Sequence, residues 1–133
     1  MNEIINPMGL VKPIGYAHAV ASSSGTTVYL AGQVSFDENG NVLHVGDIVT
    51  QFDRAMHNLQ VALRGAGGEM TDMVKLNYFV KDKIFYKQNL KEIGAVYRSY
   101  FGKHFPAMTL VEVSSLFEDD VLLEIEGIAV IHT

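Results

Sequence analysis

The run Val121-Leu-Leu-Glu-Ile-Glu-Gly-Ile-Ala-Val-Ile131 constrains this chain more than any other segment. Side chains alternate along a strand, so Glu124 and Glu126 share one face with Leu122, Ile128 and Val130, while Val121, Leu123, Ile125, Ala129 and Ile131 take the other. A strand apolar on both sides is normally covered on both sides. A carboxylate set in such a strand has to be hydrogen-bonded, paired, or kept with a raised pKa, because an isolated buried charge is very costly. That makes the two glutamates candidates for a site. A plainer alternative is that both lie near a strand end or pair with a Lys or Arg.

Composition narrows the classes that remain. At 133 residues, with 48% hydrophobic and 19% charged residues, the chain is expected to form a single globular domain over residues 1–133. No apolar stretch approaches the roughly 18 residues of a membrane span. The start, Met1-Asn-Glu-Ile-Ile-Asn-Pro, has neither a basic nor an apolar leader region, so a cytoplasmic protein is the expectation. Zero cysteines exclude disulfides, thiolate catalysis and Cys-based zinc sites together. A net charge of −5 with scattered basic residues disfavours a nucleic-acid surface.

Turn signals divide the rest. Ala17 to Ala21 and Thr27 to Gln33 read as strands around Ser22-Ser-Ser-Gly25, and Asp37-Glu-Asn-Gly-Asn41 as a second turn. Asp47 is placed to cap a helix running to about Arg64, with Ile48, Phe52, Met56, Leu59 and Leu63 on one stripe. Met73 to Val80 alternates as a strand. A second helix is read from Ile84 to Tyr100, then strands from Ala107 to Val113 and over the final run. The order predicts an α+β fold, a sheet of about six strands with two helices packed on one face. The other sheet face would expose apolar residues, so a homo-oligomer with a site at the subunit seam is expected.

Several segments occur together in order: Gly15-Tyr-Ala-His-Ala-Val20, Val28-Tyr-Leu-Ala-Gly-Gln33, Val74-Lys75 with Val80-Lys-Asp82, Phe105-Pro-Ala-Met-Thr-Leu-Val-Glu-Val113 and Leu123-Glu-Ile-Glu-Gly-Ile-Ala-Val130. As a set they resemble the reactive intermediate deaminase family, known as Rid or YjgF-like, across nearly the whole chain. The resemblance implies a chorismate-mutase-like homotrimer with clefts between subunits, hydrolysing enamines and imines without metal or cofactor. It also implies site residues. Glu124 falls on the family's water-holding glutamate, Gly32 with Gln33 on its Gly-Gln turn, and Tyr16 on its cleft tyrosine. His18 stands where better-known members carry glutamine, Gly94 where they carry an amide, and Leu110 where they carry cysteine.

Met108 is the departure that matters, because it occupies the position of the family's carboxylate-anchoring arginine. Losing a charge-assisted contact to a carboxylate costs about 2–5 kcal/mol, so small 2-imino acids are expected to be poor substrates. Lys103 and His104 are nearby in sequence. His18 is read either as a cleft acid or base or as a histidine bonded to its own turn. His44, His57, His104 and His132 lack metal-ligand spacing and read as surface positions. Three classes stay open: an enamine or imine deaminase acting on a small molecule, a trimer of the same fold that binds small molecules without turnover, and a ribonuclease. The acidic charge balance disfavours the last.

Overall fold

A computed structural model describes residues 1–133. The strands are β1 (Asn2–Ile5), β2 (Ala19–Ser22), β3 (Thr26–Gln33), β4 (Met73–Val80), β5 (Ala107–Glu112) and β6 (Leu123–Ile131). The helices are α1 (Ile48–Gly65), α2 (Lys83–Gln88) and α3 (Leu90–Phe101), with a 3-10 turn at Met70–Asp72 leading into β4. The architecture is α+β with six strands, as expected, yet they divide into two sheets. A four-stranded sheet has the order β3-β6-β4-β5, and β1 pairs with β2 in a separate two-stranded one. β6 runs antiparallel to both neighbours, and β4 and β5 run parallel. That parallel pair needs a crossover, which α2 and α3 supply.

The hydrophobic stripe of α1 forms as its spacing requires. Ile48, Phe52, Ala55, Met56, Leu59 and Leu63 are buried, and Asp47 caps the helix by accepting from the Thr50 backbone N–H at 3.1 Å. Against this stripe lie Leu76, Tyr78 and Val80 of β4 and Leu123, Ile125 and Ala129 of β6, all at most 3% exposed. Gln51, fully buried, joins α1 to the segment before β6. Its Nε2 donates to the Asp120 carbonyl at 2.9 Å, and its Oε1 accepts from the Leu122 N–H at 2.8 Å.

One expectation about the helices is corrected. The single helix over 84–100 is broken into α2 and α3 at Asn89, whose side chain donates to the Phe85 carbonyl at 2.9 Å. An asparagine that satisfies a backbone carbonyl in this way competes with the helix it sits in. The strands read on either side of Ser22–Gly25 are present, and they take different partners: β2 pairs with β1, while β3 pairs with β6. Ser24 and Gly25 both have positive φ there, and a Cβ on Gly25 would stand 2.8 Å from the Ile131 carbonyl oxygen.

Register settles which residues share a side. Phe79 stands opposite Glu124 and Asn77 opposite Glu126, on the face away from the helices. Leu76 stands opposite Met108 and Tyr78 opposite Leu110, on the helix side. The open face carries Tyr29 (79% exposed) and Val111 (42% exposed), with Phe79 and Ile128 half-buried. No helix is long and apolar enough to cross a membrane.

Candidate functional site

The best-defined feature of the open face is the meeting of β6 with the end of β3. The β3–β6 register shifts between Leu30 and Gln33, a bulge that brings the Gly32 backbone against Glu124. A Cβ built on Gly32 would lie 1.9 Å from the Glu124 Oε2 and 2.7 Å from its Cδ, so only glycine leaves room for this carboxylate. Glu124 is half-exposed and makes no hydrogen bond or ion pair within the chain, whose one ion pair joins Arg64 and Glu69. Glu126 differs. It accepts from the Asn77 amide at 3.4 Å, and the nearby Lys75 ammonium donates to the Thr109 hydroxyl at 2.9 Å instead. An unpaired carboxylate beside exposed backbone can accept hydrogen bonds from water and hold its orientation.

Met108 and Leu110 lie on the other side of the sheet. With Tyr86, Ile93, Tyr97 and Phe105 they line an apolar cavity of about 460 Å³ between α3 and β5. Gly94 and Arg98 of α3 complete the wall, as do Ile14 and Gly15 from the N-terminal segment. Tyr78 also lines it, and its buried hydroxyl has no hydrogen-bond partner. Burial holds that phenol's pKa well above the ordinary value, so it is neutral.

The remaining residues selected from sequence are scattered. Tyr16 and His18 flank Ala17, which adds to the edge of β5 by donating its N–H to the Pro106 carbonyl at 3.0 Å. Their rings meet edge-to-face at 5.3 Å. The His18 Nε2 donates to the Val11 carbonyl at 2.7 Å, which fixes the tautomer and ties the ring to its own segment. Gln33 stands opposite Ile125, and its amide donates to the Ala31 carbonyl at 3.4 Å. Lys103 is exposed and does not line the cavity. His104, expected at the surface, is half-buried because it bridges two elements: its Nε2 donates to the Met73 carbonyl at 2.7 Å, and its own carbonyl accepts from the Tyr97 hydroxyl at 2.7 Å. The cation at the cavity is Arg98, which the sequence reading passed over. Its signal was the four-residue spacing from Gly94 on one helix face. A shallower polar hollow of about 250 Å³ lies over α1 between His44, Asp53, Arg54, His57 and Tyr100. There Tyr100 donates to Asp53 at 2.5 Å.

The family model described as Endoribonuclease L-PSP matches residues 11–131. This chain belongs to the Rid, or YjgF-like, family. A solved Rid family protein of unknown function from Yersinia pestis superposes with a TM-score of 0.87 at 32% identity, covering 98% of both chains. Among curated Rid relatives, the 3-aminoacrylate deaminase RutC of Acinetobacter baylyi is 33% identical over 96% of each chain. A 2-iminobutanoate/2-iminopropanoate deaminase of Dermatophagoides farinae is 33% identical over 91% of this chain and 90% of its own. Within this Rid chain, the residues matched to the family site fall on opposite faces of one sheet: Glu124 with Gly32 on the open side, Met108 with Leu110 on the helix side. A strand layer separates them, so they cannot meet around one ligand inside a single copy.

Proposed function

We propose that this protein is a cofactor-free hydrolytic deaminase of a reactive enamine or imine, working in a cleft between subunits of a homotrimer. The observation that carries the reading is the Glu124 carboxylate, unpaired and seated on the Gly32 backbone. Two relatives named as deaminases support the reaction class. The division of the matched residues over two sheet faces supports the assembly, because the open face of one copy has to meet the cavity side of another to join them. The uncovered apolar side chains of the open face, Tyr29 and Val111 with Phe79 and Ile128, give such an assembly a driving force.

An imine carbon is already electrophilic, so the site has to position water more than activate it. Glu124 accepts a hydrogen bond from the water and takes its proton as the oxygen bonds to carbon. That proton passes to nitrogen to give the carbinolamine; its hydroxyl proton then moves, by way of the same carboxylate, to the amine as the C–N bond breaks, so ammonia leaves and a carbonyl compound remains. An enamine enters the same route after protonation at its β-carbon gives the imine. With Met108 at the arginine position, small 2-imino acids are poor substrates by this reading.

The test is ammonia release from freshly generated imines and enamines, with Glu124→Gln beside the natural chain. Expected is turnover in the natural chain that falls by about 10²–10⁴-fold in the variant, with little change in melting temperature. Intact turnover with a markedly lower melting temperature would make Glu124 a structural residue. No turnover on any substrate would favour a binding trimer without catalysis.

A further inference from the structure

One cation lines the cavity beneath α3. Arg98 is the one charged side chain among its lining residues. It forms no ion pair, since the chain's single pair is Arg64–Glu69, and no hydrogen bond through its guanidinium. Long helical side chains lean toward the helix N-terminus, over the turn that precedes them. Here the preceding turn offers Gly94, and a Cβ at that position would meet the Arg98 Nη1 at 3.4 Å. The guanidinium therefore folds back over Gly94 at ordinary contact distance, which holds it at the cavity wall. An arginine in the last turn of a helix also complements the helix dipole, but that role asks for no approach to Gly94.

Below Arg98 the wall is apolar: Tyr86, Ile93, Tyr97, Phe105, Met108 and Leu110. The volume of about 460 Å³ is ample for an aromatic or branched side chain. A second polar group is left over in this wall. The Tyr78 hydroxyl is buried without a partner, a state that costs free energy until an acceptor arrives.

We propose that Arg98 is a specificity-determining residue that anchors the carboxylate of an acid whose bulky apolar or aromatic group fills the cavity behind Met108 and Leu110. The inference deepens the deaminase reading and rests on it for the reaction, since it names the substrate class: an imine or enamine of a large apolar acid. The forked guanidinium pairs two carboxylate oxygens at the mouth. Methionine in place of the β5 arginine gives the cavity an apolar floor in exchange.

Binding of stable compounds separates this inference from the catalytic one. Isothermal titration is run with 3-phenylpropanoate, its neutral amide 3-phenylpropanamide, and acetate. The natural chain is expected to bind the aromatic acid about 10- to 100-fold more tightly than the amide, the scale of a charge-assisted contact. Acetate, which cannot fill the cavity, binds more weakly still. Arg98→Met is expected to erase the preference of acid over amide while leaving the amide's own affinity in place, and Arg98→Lys to restore part of it. Because Arg98 is exposed, neither change endangers the fold. An unchanged preference in Arg98→Met, or no advantage of the aromatic acid over acetate in the natural chain, overturns the proposal. Arg98-dependent binding together with no ammonia release from any imine would leave this site standing and defeat the deaminase reading alone.

Discussion

Gly32→Ala is the sharpest probe of the water-holding role, because it moves the carboxylate without altering it. The added methyl carbon would sit 1.9 Å from the Glu124 Oε2 and 3.0 Å from its Cγ. Ordinary contact begins near 3.4 Å, so the oxygen has to retreat by about 1.5 Å. The obstacle is the far end of a flexible side chain on the open sheet face, so rotation of the Glu124 torsions relieves it. The strain of such a rotation is on the order of 1 kcal/mol. Displacements of about 1 Å at a reacting group cost roughly 10²-fold in rate. Expected, then, is ammonia release slowed by about 10²-fold or more with a melting temperature within a few degrees of the natural chain. Both are read on one preparation, by a coupled ammonia assay and a thermal melt. Full turnover in Gly32→Ala would refute the reasoning, since the carboxylate position the structure shows would then be irrelevant to the reaction. A Gly32→Ala, Glu124→Gln double variant no slower than Glu124→Gln alone would show that both act on one group.

Three further expectations follow from the fold. Gln51→Leu strips hydrogen-bond partners from the Asp120 carbonyl and the Leu122 N–H, and lowers stability by about 2–4 kcal/mol in urea unfolding; a loss below about 1 kcal/mol would mean these groups find other partners. Burial raises the pKa of Tyr78, Tyr86 (to about 12), Tyr97 and Tyr100, so the unfolded chain gives up these protons first; stability is full below about pH 10 and falls as pH climbs toward 12, which melting curves across that range check against a flat profile. Light scattering after size exclusion is expected to give three times the 14.7 kDa chain mass, and a monodisperse monomer at micromolar concentration would remove the inter-subunit cleft.

Legibility in the sequence followed apolar patterning. α1 could be read because one face is buried and the other is not, which writes a period of 3.6 into the residues, and β6 because its apolar run is broken only by Glu124 and Glu126 on one face. β1 left no such mark: Asn2–Ile5 is four residues long, mostly exposed, and held by pairing with β2 rather than by a core. The break at Asn89 was hidden for a related reason, since the apolar spacing of α2 and α3 continues through it and only a side-chain bond to Phe85 interrupts the ladder. For the site, parity within each strand was readable, but the relation between strands was not. β5 is apolar on both sides, with Met108 and Leu110 alternating with Ala107 and Val111, so nothing in its residues says which pair joins Tyr78 and which joins Phe79. That choice decides whether Met108 and Glu124 share a ligand within one copy, and only the β4–β5 register makes it.

Arg98 was missed on different grounds. An arginine at an exposed helical position is read as solvated, and for most such residues that reading is complete. What distinguishes this one is a vacancy four residues earlier. Gly94 destabilises a helix interior by roughly 1 kcal/mol relative to alanine, a cost with no return in the fold, because its α-carbon faces a cavity rather than a close-packed neighbour. The group that lies over Gly94 is the Arg98 guanidinium, 3.4 Å from where a Cβ would stand, an ordinary contact distance. A small residue in mid-helix, a cation one turn later and a methionine on the adjoining strand are unremarkable one at a time. Placed around one cavity they describe a site in which the positive charge has moved from the sheet to the helix, and the space it vacated has become apolar.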